Sequence, residues 1–108
     1  MIEIDKFREG EIYTDMTAMS AIHVVSIRDF ISANLDIKKS AMNFVEKEVE
    51  YAPSHDIIID FSNIKSITPE FAHQYLMSKR KIKKEIHEVN LPSHVESIIS
   101  KAQKFINK

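Results

Sequence analysis

HDIIIDFSNIKSITPEFA, residues 55–72, decides the fold. Ile57, Ile58 and Ile59 follow one another without polar alternation. A strand of that kind is expected to be covered on both faces, as in the middle of an α/β sheet. Asp60 and Phe61 close the run, and Ser62-Asn63 opens a polar loop. The loop ends at Thr68-Pro69-Glu70, where a hydroxyl at the cap position and a proline at the first helical position predict a helix start. Phe71, Ala72, Tyr75 and Leu76 then form the buried stripe of that helix. Strand, loop and helix in this order make half of a βαβ unit.

The same order appears on either side. Upstream, IHVVSI (22–27) is β-branched and reads as a strand. Asp36 stands where an N-cap belongs, and Ala41, Met42, Val45, Val49 and Ala52 keep helical spacing until Pro53-Ser54 ends the segment. Downstream, Glu85–Leu91 reads as a third strand. The helix after Pro92-Ser93 has an apolar stripe of Val95, Ile98, Ile99, Ala102, Phe105 and Ile106. Repeated strand–helix alternation predicts right-handed crossovers and an α/β fold. The expected architecture is a small mixed or mostly parallel sheet of four to five strands packed by three main helices. Residues 1–21 stand apart as an N-terminal arm or hairpin; Ile2 and Ile4 alternate with acids, and Gly10 could turn strand 2–7 onto 11–15.

Bulk properties exclude several functions. At 108 residues the chain builds one core, and 44% hydrophobic with 29% charged residues is an ordinary globular balance. A net charge of −1 gives no global pull toward nucleic acid or an anionic membrane. Without cysteine there is no disulfide or thiolate chemistry, and a cytoplasmic address fits. A single glycine rules out glycine-rich phosphate loops and a nucleophile elbow, so an enzyme is not expected. The five histidines form no short ligand motif, so neither metal nor cofactor is expected. No apolar run is long enough to span a bilayer.

Two stretches resemble a known family. IIIDFSNIKSITPEFAHQYL is similar to the central strand–loop–helix of STAS domains, the sulfate-transporter and anti-sigma-factor-antagonist fold. There a strand ending in Asp-Leu or Asp-Phe precedes Ser-Gly/Asn-Val, a loop and a helix. IHEVNLPSHVESIISKA resembles the next segment of that family, a strand ending in Val-Asn, then Pro and a helix bearing Val and Ile. The closer resemblance is to the STAS-like family of uncharacterised function, whose corresponding helix opens with an aromatic-Ala pair, as Phe71-Ala72 does here. DIKKSAMNFVEKEV also falls where that family has a helical segment. The likeness covers roughly residues 22–106 and makes 22–108 a STAS-like domain.

The resemblance implies a regulatory protein-interaction module rather than an enzyme, with an ATPase-like anti-sigma kinase as the partner class. In the antagonists a serine of an Asp-Ser-Ser-Gly motif at this helix start is phosphorylated, which weakens partner binding. The matching residues are Thr68-Pro69-Glu70-Phe71, so Glu70 occupies the acceptor position. The residues expected to meet a partner are Ser62, Asn63, Ser66, Thr68 and Glu70 around the loop, and Gln74, Ser78 and Lys81 along an exposed helix face. Thr68 and Ser66 are the remaining candidates for phosphorylation.

The alternative site is the basic run Lys79, Arg80, Lys81, Lys83 and Lys84, which would serve a nucleic-acid-associated accessory domain. It lacks the interleaved aromatics of single-strand binders, and cations gather at helix C-termini for electrostatic reasons alone. Met16 and Met19, beside Ala18 and Ala21, are candidates for core packing or for a homodimer contact.

Overall fold

A computed structural model describes residues 22–106. The expected hairpin 2–7/11–15 and the contact at Met16 and Met19 lie outside them. The described chain is α/β. Three parallel strands, β1 (Ile22–Ser26), β3 (Asp56–Asp60) and β5 (Glu85–Val89), form a sheet in the order β1-β3-β5. Val24 pairs with Ile58, and Ile58 with His87, so the isoleucine run is the central strand, as its composition predicts. The helices are α1 (Ile27–Phe30), α2 (Lys38–Phe44), α3 (Pro69–Lys79) and α4 (Ser93–Ile106).

Burial separates the two faces of the sheet. Ile57, Ile59 and, beyond the strand, Phe61 are inaccessible to solvent, and they join Phe44, Val49, Phe71, Tyr75 and Val95 in one core. On the opposite face Val24 is 60% and Ile22 58% exposed, and Ile58 is half-buried. The expectation that both faces of β3 are covered is thus met on one face only among the described residues.

Three further features depart from the sequence reading. Asp36 is not the cap of α2: Ile37 holds that place without a side-chain bond, so the first turn of α2 begins at Lys38 with neither cap nor acid. The helix also does not continue regularly to Pro53. From Val45 to Glu50 it widens into a π-helical segment. The third feature is a small second sheet, in which β2 (Asn34–Leu35) pairs in parallel with β4 (Ser66–Ile67). Two-residue strands carry no period that sequence could reveal.

β2–β4 matters for the site because it fastens the loop after β3. Lys65 N–H donates to the Ala33 carbonyl at 2.7 Å, and Thr68 N–H donates to the Leu35 carbonyl at 2.9 Å. Leu35 is fully buried beneath this seam. The loop therefore reaches the start of α3 held at both ends by backbone bonds.

Candidate functional site

The loop begins at Asp60, whose side chain turns back onto its own chain. Its Oδ1 accepts from Ser62 Oγ at 2.6 Å, from Ser62 N–H at 2.9 Å and from Asn90 Nδ2 at 3.1 Å. The Ser62 hydroxyl, followed by the Asn90 amide and the Ser62 N–H, holds the carboxyl below its ordinary value, because each donor favours the charged form. Asp60 is thereby an organiser that ties the end of β3 to the end of β5.

Two turns near this carboxylate need a left-handed residue, and with one glycine in the chain asparagine supplies both. Asn63 has φ 63° and Asn90 has φ 57°. Asparagine tolerates this region better than other side chains do, because its short amide bonds locally. Asn63 is exposed, so its backbone makes the turn while its amide faces solvent.

Farther along, Ser66 is exposed and its Oγ donates to Asn34 Oδ1 at 2.8 Å across the β2–β4 seam. His94, in the first turn of α4, contacts the Lys65 carbonyl through Nε2 at 2.8 Å. Thr68 Oγ1 accepts from Phe71 N–H at 3.1 Å and caps α3, with Pro69 at the first turn. Of the two phosphorylation candidates, Ser66 is therefore the accessible one, and modification of Thr68 would give up the cap.

Glu70 and His73, one turn apart, are exposed on the first part of α3. They stand at the mouth of a groove of about 600 Å³ between α3 and α4. Its apolar floor is made by Pro69, Ile98, Ala102 and Phe105. Its rim carries Glu70 and His73 on one side, Lys101 from α4, and Lys38 from the start of α2. Among the described residues, Lys38, Lys101 and Glu70 form no ion pair. Sequence reasoning places Ile98, Ala102 and Phe105 in the core stripe. Ala102 does lie in the core and Ile98 packs partly buried against it, whereas Phe105 is 71% exposed. The signal in the sequence was the width of the stripe, with Ile98 and Phe105 together at one edge of it.

The far end of α3 corrects part of the expected binding face. Ser78 is buried rather than displayed, and its hydroxyl accepts from Nε2 of the half-buried Gln74 at 3.0 Å. The helix ends at Lys79, and Lys81 lies in the turn beyond it, exposed. Lys79 Nζ meets Glu88 Oε2 at 2.7 Å and lies 5.5 Å from the centre of the Tyr75 ring. The Tyr75 hydroxyl donates to the same Glu88 oxygen. Burial first, then the charge of Glu88, raises the Tyr75 hydroxyl well above its ordinary value, so it remains a neutral donor.

Lys84 is engaged too. Its Nζ donates to the carbonyls of Val49 at 2.8 Å, Glu50 at 3.0 Å and Ala52 at 2.7 Å. It thus closes the C-terminal end of the π-helical segment, where carbonyls lack helical partners. Cations do gather at helix ends here: Lys79 in the last turn and Arg80 at the cap of α3, as expected, and Lys84 at the end of a helical segment distant in sequence. Of the basic run, Arg80, Lys81 and Lys83 remain exposed.

The described residues contain no group of three or more side chains able to hold a metal, and no helix long and apolar enough to cross a membrane. Comparison of the chain with protein families, with curated proteins and with solved structures gives no match.

Proposed function

We propose that this chain is a STAS-like, non-enzymatic regulatory module that binds a signalling or ATPase-like protein through the start of α3. The observation carrying this reading is the division of labour around the loop. Asp60, Ser62, Ser66 and Thr68 spend their polar atoms on one another, on backbone or on β2, while Glu70 and His73 face solvent beside an apolar groove. Such a surface suits recognition, in which an apolar centre sits within a polar rim. It does not suit bond making: the Ser62 hydroxyl is held by Asp60, whose lowered carboxyl is a weak base, and the Ser66 and Thr68 hydroxyls are spent on Asn34 and on the Phe71 N–H. The STAS resemblance supports the same reading, since Asn63 takes the left-handed turn at the family's Gly/Asn position.

Glu70 stands where the antagonists carry their phosphoacceptor and offers no hydroxyl, so phosphate cannot switch binding at that position. A switch, where one operates, uses Ser66, whose exposed hydroxyl can be modified without removing the helix cap. The basic run is a weaker site than its composition suggests, because Lys79 and Lys84 are held by Glu88 and by backbone carbonyls.

Capture from nuclease-treated host lysate, with intact-mass analysis of the recovered bait, tests the proposal. One stoichiometric protein is expected, lost with Glu70→Lys and retained with Lys81→Glu and Lys83→Glu. Recovery only without nuclease, abolished by the two lysine reversals, would replace the reading with nucleic-acid association.

A further inference from the structure

The groove between α3 and α4 has a charge pattern that its own packing does not require. Lys38 and Lys39 occupy the first turn of α2, the end of a helix where the backbone dipole disfavours cations, and no acid offsets them there. Lys101 adds a second cation at the rim from α4. Against these stands a single acid, Glu70, and neither rim lysine is paired with it or with any other acid among the described residues. The rim is net positive above a floor that is apolar, and the chain as a whole is net negative. The local charge of this rim is thus opposite in sign to that of the whole chain.

Resting on the protein-binding reading above, we infer that the groove receives an acidic amphipathic helix of the partner, with apolar side chains on the floor and carboxylates against Lys38 and Lys101. The shape favours a helix over a small ligand. Small-molecule sites bury most of their ligand, whereas this groove is open enough to leave Phe105 71% exposed. A helix laid across α3 and α4 would cover both, using apolar anchors at helical spacing. A second copy's α4 is the wrong occupant, because it would bring Lys101 and Lys104 onto a rim that is already positive.

Fluorescence anisotropy on the full chain tests this with two labelled synthetic helices. Both carry leucines at helical spacing, with glutamates between them in one and lysines in the other. The glutamate helix is expected to bind at least about tenfold more tightly, with a margin that shrinks as salt is raised. The double variant Lys38→Glu/Lys101→Glu should abolish or invert that preference. Both lysines are exposed, and an unchanged melting temperature would show that the fold is intact. Equal binding of the two helices, binding of neither, or a preference indifferent to the double reversal each overturns the inference. So does binding that appears only after Glu9→Lys and Glu11→Lys, which would make the chain's own acidic stretch the occupant. A chain that captures its partner and loses it with Glu70→Lys, yet ignores the glutamate helix, leaves the protein-binding reading standing and removes this one.

Discussion

At the start of α3, Thr68 caps the helix while Glu70 and His73 face solvent beside a groove; at its end, Tyr75, Lys79 and Ser78 are each held by a partner from another turn or strand. Lys84, just beyond, is held by three carbonyls. Both ends are rich in polar side chains, but within the helix only those of the first turns are exposed beside an apolar groove, and at the far end the exposed cations lie beyond the helix. The number of charges in a stretch is therefore a poor guide to a binding surface, and the partners of each charge decide the matter. A charge with three internal partners would lose them before it could meet a ligand, and that loss opposes binding.

If the far end is structural, breaking it should cost stability and little recognition. The largest effect is expected at Tyr75, which is fully buried and packs edge-on against Phe61 at 5.9 Å between ring centres. Tyr75→Ala should lower the unfolding free energy by about 3–5 kcal/mol, through the cavity it opens and the donor it takes from Glu88. Urea denaturation measures this directly. A loss below about 1 kcal/mol would mean that the ring does not anchor the helix end to the core. Tyr75→Phe keeps the ring and should cost about 1 kcal/mol, the share due to the hydroxyl.

Lys84 ranks next. Lys84→Met removes a charged donor from three carbonyls and should cost about 1.5–3 kcal/mol, whereas Lys83→Met should stay within about 0.5 kcal/mol. Amide exchange should quicken around residues 45–52 in the first variant alone. Equal effects of the two substitutions would erase the distinction between engaged and exposed cations within the run.

Much of the architecture could be read from the chain because it follows from burial. The triple isoleucine of β3, the Thr68-Pro69 start of α3 and the apolar stripe of α4 each encode one local rule strongly. What escaped the reading was settled by contacts distant in sequence. Asn34 and Ser66 meet across β2–β4, Asn90 reaches Asp60, and Lys84 crosses to Val49, all about 30 residues or more apart. Ser78 defies the sequence reading for a related reason: a small polar residue inside a helix reveals its burial only when its packing and its bond from Gln74 are seen. The groove was hidden because Ile98 and Phe105 share the apolar stripe with true core residues, and only the packing of α4 shows Ile98 at the edge of the core and Phe105 71% exposed.

Asp60 offers a smaller test, specific to pH. Its carboxyl is held below the ordinary value by Ser62 and Asn90. A lowered carboxyl stabilises the fold above the unfolded value of about 3.9 and loses that contribution as pH falls through the lowered folded value. Asp60→Asn should therefore cost about 1 kcal/mol at neutral pH. Its stability should also fall less steeply than that of the natural chain below about pH 4. Parallel acid limbs for the two proteins would show that the carboxylate is not what organises the loop.

The smallest effect on stability, and the sharpest contrast with Tyr75, belongs to Glu70. In the first turn of α3 it meets the positive end of the helix dipole, so Glu70→Gln should cost about 0.3–1 kcal/mol in low salt and less in high salt. It has no ion-pair partner among the described residues, so nothing else is lost with its charge. A recognition residue of this kind leaves the melting curve nearly unchanged while weakening partner capture. Tyr75→Phe should do the reverse, lowering stability and leaving capture intact. Measuring both quantities on both variants crosses the two ends of α3 against the two readouts. Should Glu70→Gln prove as destabilising as Tyr75→Phe, the start of the helix would be no freer than its end, and the binding surface would have to be sought elsewhere on the fold.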